Sequence, residues 1–239
     1  MNITRFARSS RSLNTVVAGV AGSWMLALAS LSANAANVSV FNTGVDATGA
    51  KLAVGSVDPH WQLAAGPGVT APVSAVVVNN QHPFGQYFAT ADSTWIFGVA
   101  NAVATVGVPY TFRLQFDLNG FDPSTATMTG SWGVDNHGDI LLNGAAAIGT
   151  GIFSLAGNDP ANYNLLHGFA ITGGFVSGIN SLEFQVIDGG NPAGLNVTGL
   201  AGAAALVPEP ETYYFMLTGL GMLGLVARRR KATLHALAS

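Results

Sequence analysis

Between positions 110 and 118 apolar and polar side chains alternate strictly. Tyr110, Phe112, Leu114, Phe116 and Leu118 fall on one side, and Thr111, Arg113, Gln115 and Asp117 on the other. A period of two marks a strand with one buried face, so the apolar side is expected in a core and the polar side in water. The stretch 181–187 repeats the pattern, with Leu182, Phe184 and Val186 inward and Glu183 and Gln185 outward. Short β-rich runs bounded by turn residues predict further strands over 38–41, 61–64, 74–78, 94–98, 126–134, 139–142, 168–172 and 195–200. Helix signals are nearly absent from 37–206, where Gly or Pro recurs every few residues. Roughly ten strands in one stretch of domain size predict an all-β fold, two antiparallel sheets packed as a β-sandwich. Its expected core is Phe112, Phe116, Trp132, Leu141, Phe169, Leu182, Phe184 and Val186. The Ala- and Gly-rich stretch 199–205 reads as the end of the last strand running into a linker.

The two ends carry different patterns. Arg5, Arg8 and Arg11 precede an apolar stretch over 16–31 and the small residues Ala33, Asn34 and Ala35. That order predicts a secretory signal peptide over 1–35, cut before Ala36. At the other end Val207, Pro208, Glu209 and Pro210 are followed by an uncharged apolar run over 213–227 and by Arg228, Arg229, Arg230 and Lys231. As a helix that run spans about 22 Å, short for a hydrocarbon core of about 30 Å. It reads as a short transmembrane helix that crosses with the help of its terminal cations. Short basic flanks stay cytoplasmic, so everything before Pro208 belongs on the far side of the membrane and 232–239 forms a cytoplasmic tail.

The tripartite end, with Pro208-Glu209-Pro210, the glycines Gly219, Gly221 and Gly224, and the arginine cluster, resembles the PEP-CTERM sorting signal of exopolysaccharide-producing Gram-negative bacteria. The resemblance covers 207–231. It implies recognition by an exosortase, an integral-membrane transpeptidase-like protease thought to cut near the motif. It also implies export through the Sec translocon, transient anchoring in the inner membrane, and final residence at the cell surface or in the extracellular matrix of a biofilm. An ordinary C-terminal anchor with a proline hinge is the competing reading.

Charge sharpens the picture of the body, 36–206. Its only bases are Lys51 and Arg113, against ten acids, a net −8. Such a body repels phosphate backbones, which argues against nucleic acid as a partner. The chain has no cysteine, so disulfides, thiol catalysis and cysteine-ligated metals are excluded. Nine of the ten acids are Asp, mostly beside Gly, Asn or Pro, the setting of turns and of hard-cation sites.

The most patterned part of the body is 128–144, with Trp132, Asp135-Asn136-His137-Gly138 and Asn143-Gly144. It predicts a β-hairpin with a buried Trp. The segment looks like the central hairpin of galactose-binding-like jelly-roll domains, and Gly178-Ile179-Asn180-Ser181-Leu182 resembles the step into their closing strands. The resemblance implies a jelly roll of the kind found in lectins, substrate-positioning modules and spacers. Asp135, Asn136 and Asp139 offer oxygens that a turn could gather around Ca²⁺; the alternative is that they only satisfy turn backbone. No other cofactor is expected.

For a glycan, aromatic faces beside amides or carboxylates are wanted, and Trp61, His82, Phe84 and Tyr87 are the candidate contacts. The same rings could instead plug the end of the sandwich. Catalytic patterns are thin. The histidines at 60, 82, 137 and 167 lack helix-zinc spacing, no G-x-S-x-G occurs, and a compact body leaves little material for a hydrolase cleft. The expectation is a non-catalytic, carbohydrate-binding or matrix-associated module with exopolysaccharide as a candidate partner; the alternative is a structural surface protein without a specific ligand.

Overall fold

The computed structural model describes residues 35–79, 81–82, 85–208 and 210–236. The body is all-β and antiparallel. Its strands are β1 (Ala35–Val38), β2 (Val57–Ala65), β3 (Val73–Val77), the small hairpin β4 (Gln81–His82) and β5 (Gly85–Gln86), β6 (Ile96–Phe97), β7 (Pro109–Asp117) and β8 (Phe121–Asp135). They continue with β9 (His137–Leu142), β10 (Ala145–Ala146), β11 (Ile148–Gly151), β12 (Ser154–Leu155), a one-turn helix α1 (Ala161–Asn164), β13 (His167–Gly173), β14 (Ile179–Ile187) and β15 (Gly194–Leu206). A long helix, α2 (Pro210–Ala236), follows.

The strands hydrogen-bond in the order β10-β9-β14-β7-β2-β3-β6-β15-β8-β13-β11. This is one path folded into two layers. Phe184 of β14 lies 5.3 Å from Trp132 of β8 and 6.1 Å from Phe169 of β13, ring centre to ring centre, although those strands are far apart along the path. The short β3 and β6 pair joins the layers on one side. On the other, consecutive strands β10 and β11 extend opposite layers, pairing with β9 and β13, so a single chain segment covers both edges. The new edges are only two and four residues long, which keeps short the row of unpaired backbone groups that would invite aggregation.

Alternation assigned the faces well. Tyr110, Phe112, Leu114, Phe116 and Leu118 are all buried, as are Leu182, Phe184 and Val186. Leu141 is a correction. In β9 it is Ile140 and Leu142 that are buried, because they sit opposite Phe184 and Leu182, while Leu141 faces out opposite Glu183. Partners directly across an antiparallel ladder share a face, so register decides what an apolar run alone leaves ambiguous.

Two further expectations change. Segment 128–144 is not one hairpin: β8 pairs with β13 and β15, and β9 with β14, β10 and β12, so Asp135-Asn136-His137 carries the chain from one layer to the other. The tight turn is at Asn143-Gly144, where both residues have positive φ (53° and 76°), as the commonest two-residue hairpin requires. Nor is 199–205 a linker. After an irregularity at Gly199 and Leu200, it pairs with β8 from Ala201 and with β1 from Gly202, and β15 runs to Leu206 opposite Phe121. Small side chains there serve close strand packing; a Cβ on Gly202 would stand 3.0 Å from Val38 Cβ.

The apolar run 213–227 lies within α2, whose Tyr214, Phe215, Leu217 and Leu223 are more than 60% exposed. Among the described residues no helix is long and apolar enough to cross a membrane. Thr218 and three glycines dilute the run, and Arg228 and Arg229 follow it at once.

Candidate functional site

Two of the rings expected to meet a glycan, Trp61 and Tyr87, are turned inward. Trp61 is completely buried, its indole N–H donated to the carbonyl of Phe41 at 3.0 Å. Alternation along β2 places it beside Leu63 on the core face. Tyr87 is 3% exposed, stacked on Trp95 at 4.2 Å and edge-on to Tyr163 at 5.7 Å. His82 belongs to the backbone of β4, and Phe84 lies outside the described residues. Trp61 and Tyr87 therefore occupy the plug arrangement.

Tyr87 and Asp135 do come together. The phenol donates to Asp135 Oδ2 at 2.7 Å, inside a polar network at one end of the sandwich. There Asn162 Nδ2 donates to the Asn136 carbonyl at 2.7 Å and Asn136 Oδ1 accepts from the backbone N–H of Gly189. Burial pushes the Asp135 carboxyl up to about 7; the Tyr87 hydrogen bond opposes this and the charge of buried Asp188 adds to it. Burial and the same carboxylate raise the Tyr87 phenol further. Asp139 is elsewhere, on the outward side of β9 opposite Gln185. Three residues of extended chain put it roughly 10 Å from Asn136, too far to share a cation coordinated at about 2.4 Å. Among the described residues no three acid or histidine side chains form a metal-binding group.

A different surface has ligand-site geometry. The outward face of the β9, β14, β7 and β2 layer carries polar side chains in register: Gln62 opposite Arg113, Arg113 opposite Glu183, and Gln115 opposite Ser181. Arg113 Nε bonds Glu183 Oε1 at 2.7 Å, with the carboxylate nearly buried and the guanidinium a third exposed. That bond uses one of five guanidinium donors and fixes the fork on the sheet.

Beside the pair is a cavity of about 240 Å³ lined by Phe41, Pro59, His60, Gln62, Arg113 and Gln115, with Leu114 beneath. Phe41 and His60 form one wall, stacked ring on ring at 3.6 Å and within 1° of parallel. His60 Nε2 is buried and has no hydrogen-bond partner among the described residues. A buried polar atom left unmet costs about 1 to 3 kcal/mol. A larger opening of about 470 Å³ is lined mainly by apolar side chains, Leu63, Val69, Val73 and Phe97 among them, with Thr70, Thr105 and Tyr110.

Most of this surface was within reach of the sequence. The alternation that buries Phe112 and Phe116 puts Arg113 and Gln115 outward, and Arg113 is one of only two bases in the body. The neighbours Gln62 and Phe41 follow only from strand order and register.

The sorting residues stand apart from this face. Val207 still donates its N–H to the Gly120 carbonyl at 2.9 Å, Pro208 follows, Glu209 lies outside the described residues, and α2 begins at Pro210. Arg228 and Arg229 are exposed near its end and Arg230 is in the same helix.

Comparison with known proteins bears on the two parts unequally. Residues 206–231 match the model of the PEP-CTERM protein-sorting motif. No curated protein matches the chain. Among solved structures, a family 35 carbohydrate binding module from an environmental isolate is similar at 19% identity, over 55% of this chain and 88% of that one, with a TM-score of 0.29. The all-β assignment of the body rests on its own strand pairing.

Proposed function

We propose that this chain, which carries a PEP-CTERM sorting motif at 206–231, is an exported protein whose tail is processed by an exosortase and whose sandwich body binds carbohydrate without catalysis. The motif supports the first part: exosortase and the Sec translocon are its partners in transit. The inner membrane holds it transiently, and the cell surface or extracellular matrix receives it. The single observation that carries the second part is the cavity beside the Arg113–Glu183 pair, with the stacked Phe41 and His60 as its wall.

A sugar ring offers hydroxyls to amides and to a guanidinium fork, and C–H faces to an aromatic edge. Gln62, Gln115, Arg113 and Phe41 supply those groups on rigid strands, where positions are held best. The lone guanidinium is already neutralised by Glu183, and the body carries −8, so the glycan that fits is a neutral exopolysaccharide rather than a polyanion.

The burial of Trp61 and Tyr87 favours a second reading, a structural surface protein with no specific small ligand. A glycan array probed with the body, with Gln62→Ala and Gln115→Ala as outward-facing variants, separates the two. Binding to neutral glycans that falls at least tenfold in either variant supports the site. Absence of binding, or binding indifferent to both substitutions, favours the structural protein.

A further inference from the structure

A separate cavity lies beside the seam of β6 and β15. β6 is two residues long and meets β15 at one pair, Ile96 opposite Leu195. Next to that pair Asn196 lines a cavity of about 150 Å³, with Val77, Val78 and Phe88 as apolar wall and Lys51 and Ser93 beside it.

Asn196 is 1% exposed, and an amide that deep is costly unless its groups are met. Its carbonyl is met: Ser93, itself buried, donates its hydroxyl to Oδ1 at 2.8 Å. That bond fixes the orientation of the amide. The other end, Nδ2, is buried and has no hydrogen-bond partner among the described residues. Lys51 adds charge. Its ammonium donates to the Thr90 carbonyl at 2.7 Å, which holds the side chain at the cavity and uses one of its three donors. The body's other base, Arg113, is paired with Glu183, whereas Lys51 has no carboxylate partner among the described residues.

We propose that this cavity binds a short-chain aliphatic carboxylate, one oxygen taken by Asn196 Nδ2 and the other by the Lys51 ammonium, with the carbon tail on Val77, Val78 and Phe88. Both unmet groups are donors. An amine would be repelled by Lys51, and an alcohol would bring an acceptor without charge. A carboxylate brings two acceptors and the counter-charge that Lys51 lacks, and charge-assisted hydrogen bonds are the strong ones. Size narrows the class further. The cavity has the volume of about five liquid waters at about 30 Å³ each, enough for an acid near butyrate in size and too little for a sugar ring with its hydroxyls. The inference is independent of the carbohydrate reading, which concerns the face around Arg113.

Calorimetric titration of the full chain with butyrate at constant ionic strength is the test, with 1-butanol as the neutral counterpart and glucuronate as a carboxylate carried on a sugar. Butyrate is expected to bind, and butanol and glucuronate to bind far more weakly. Lys51→Gln changes an exposed side chain and removes the charge, so it should weaken butyrate roughly tenfold or more. Asn196→Asp keeps an acceptor for Ser93 but turns the facing donor into an oxygen that repels the ligand, and it should abolish binding. A buried carboxylate can also destabilise the sheet, so the parent chain supplies a second readout. With ¹⁵N label, the Nδ2 resonances of Asn196 should move with butyrate and stay still with butanol.

Butyrate binding unchanged in Lys51→Gln, or Asn196 amide signals that do not move at saturating butyrate, would overturn the assignment. Tighter binding of glucuronate than of butyrate would overturn it too, making an acidic sugar the ligand. No response to either acid would leave water as the occupant of the cavity and end the proposal.

Discussion

Asp135 shows how one side chain can make the stability of the fold depend on pH. Its carboxyl is held near 7 by burial, against an ordinary 3.8, so between those values the folded chain binds a proton that the unfolded chain has released. Stability from this group is therefore full below about 3.8 and is lost as pH rises toward 7, with a slope of at most about 1.4 kcal/mol per pH unit. Asp58 shifts the same way through burial, opposed by N–H donors from Gly44, His60 and Trp61. Asp46 and Asp122 are exposed and lowered by their own turn hydrogen bonds, and act in the opposite sense at more acid pH. Asparagine at 135 keeps an acceptor for Tyr87 and removes the titration. Urea melts between pH 5 and 7 should show a falling midpoint for the parent chain and a flatter profile for Asp135→Asn; equal slopes would show that another group governs the dependence. Calcium remains a proposal here. A cation bound by Asp135 would have to hold the carboxylate ionised, so a site at 100 times its dissociation constant would add about 2.7 kcal/mol and reverse the slope. Since Asp139 does not converge with Asp135 and Asn136, the expected result of melts with calcium and with chelator is an unchanged midpoint.

At the scale of elements, strands were legible where they are long and alternate, as β7 and β14 do, and illegible where pairing rather than pattern creates them. β10, β11 and β12 are two to four residues of mostly small or exposed side chains and exist because β9 and β13 offer free edges. β1 forms three positions earlier than its apolar run suggested, since β15 captures Ala35 to Val38 and releases the chain at Phe41 to stack on His60. The same limit explains the site: faces were readable within each strand, but which polar residues meet across strands was not. The central packing contact is better defined. Phe184 of β14 is fully buried and touches the rings of Trp61, Trp132 and Phe169 from both layers. Phe184→Ala should cost about 3 to 5 kcal/mol, a large share of the 5 to 15 kcal/mol typical of a domain. Phe184→Leu should cost clearly less, and denaturant midpoints of the two variants give the check. Gly138→Ala tests the crossing between layers, because its Cβ would meet the backbone oxygen of Gln185 at 2.0 Å and force β9 and β14 apart.

At the scale of the whole molecule, the question is where the folded unit begins and ends, and hydrogen bonding gives a sharper answer than composition. A stretch of small residues before a Pro-Glu-Pro motif has the look of a spacer, yet backbone pairing does not need large side chains, and 199–206 is tied to β8 and β1. If 36–206 is the folding unit, a chain that stops at Val207 keeps every ladder and should melt at the midpoint of the full-length protein. A chain that stops at Thr198 loses the pairs of Ala201 to Leu206 with β8 and all of β1's partners, and it uncovers Val38 and Met128, both buried and both opposite Gly202. Burying a Val or Met side chain contributes about 1.5 to 3 kcal/mol, so the shorter chain should lose several kcal/mol and unfold at markedly lower denaturant. Equal midpoints for the two truncations would return 199–206 to the role of a linker. A fall already at Val207 would mean that the sorting helix supports the body, and that its removal during maturation changes the stability of what is left behind.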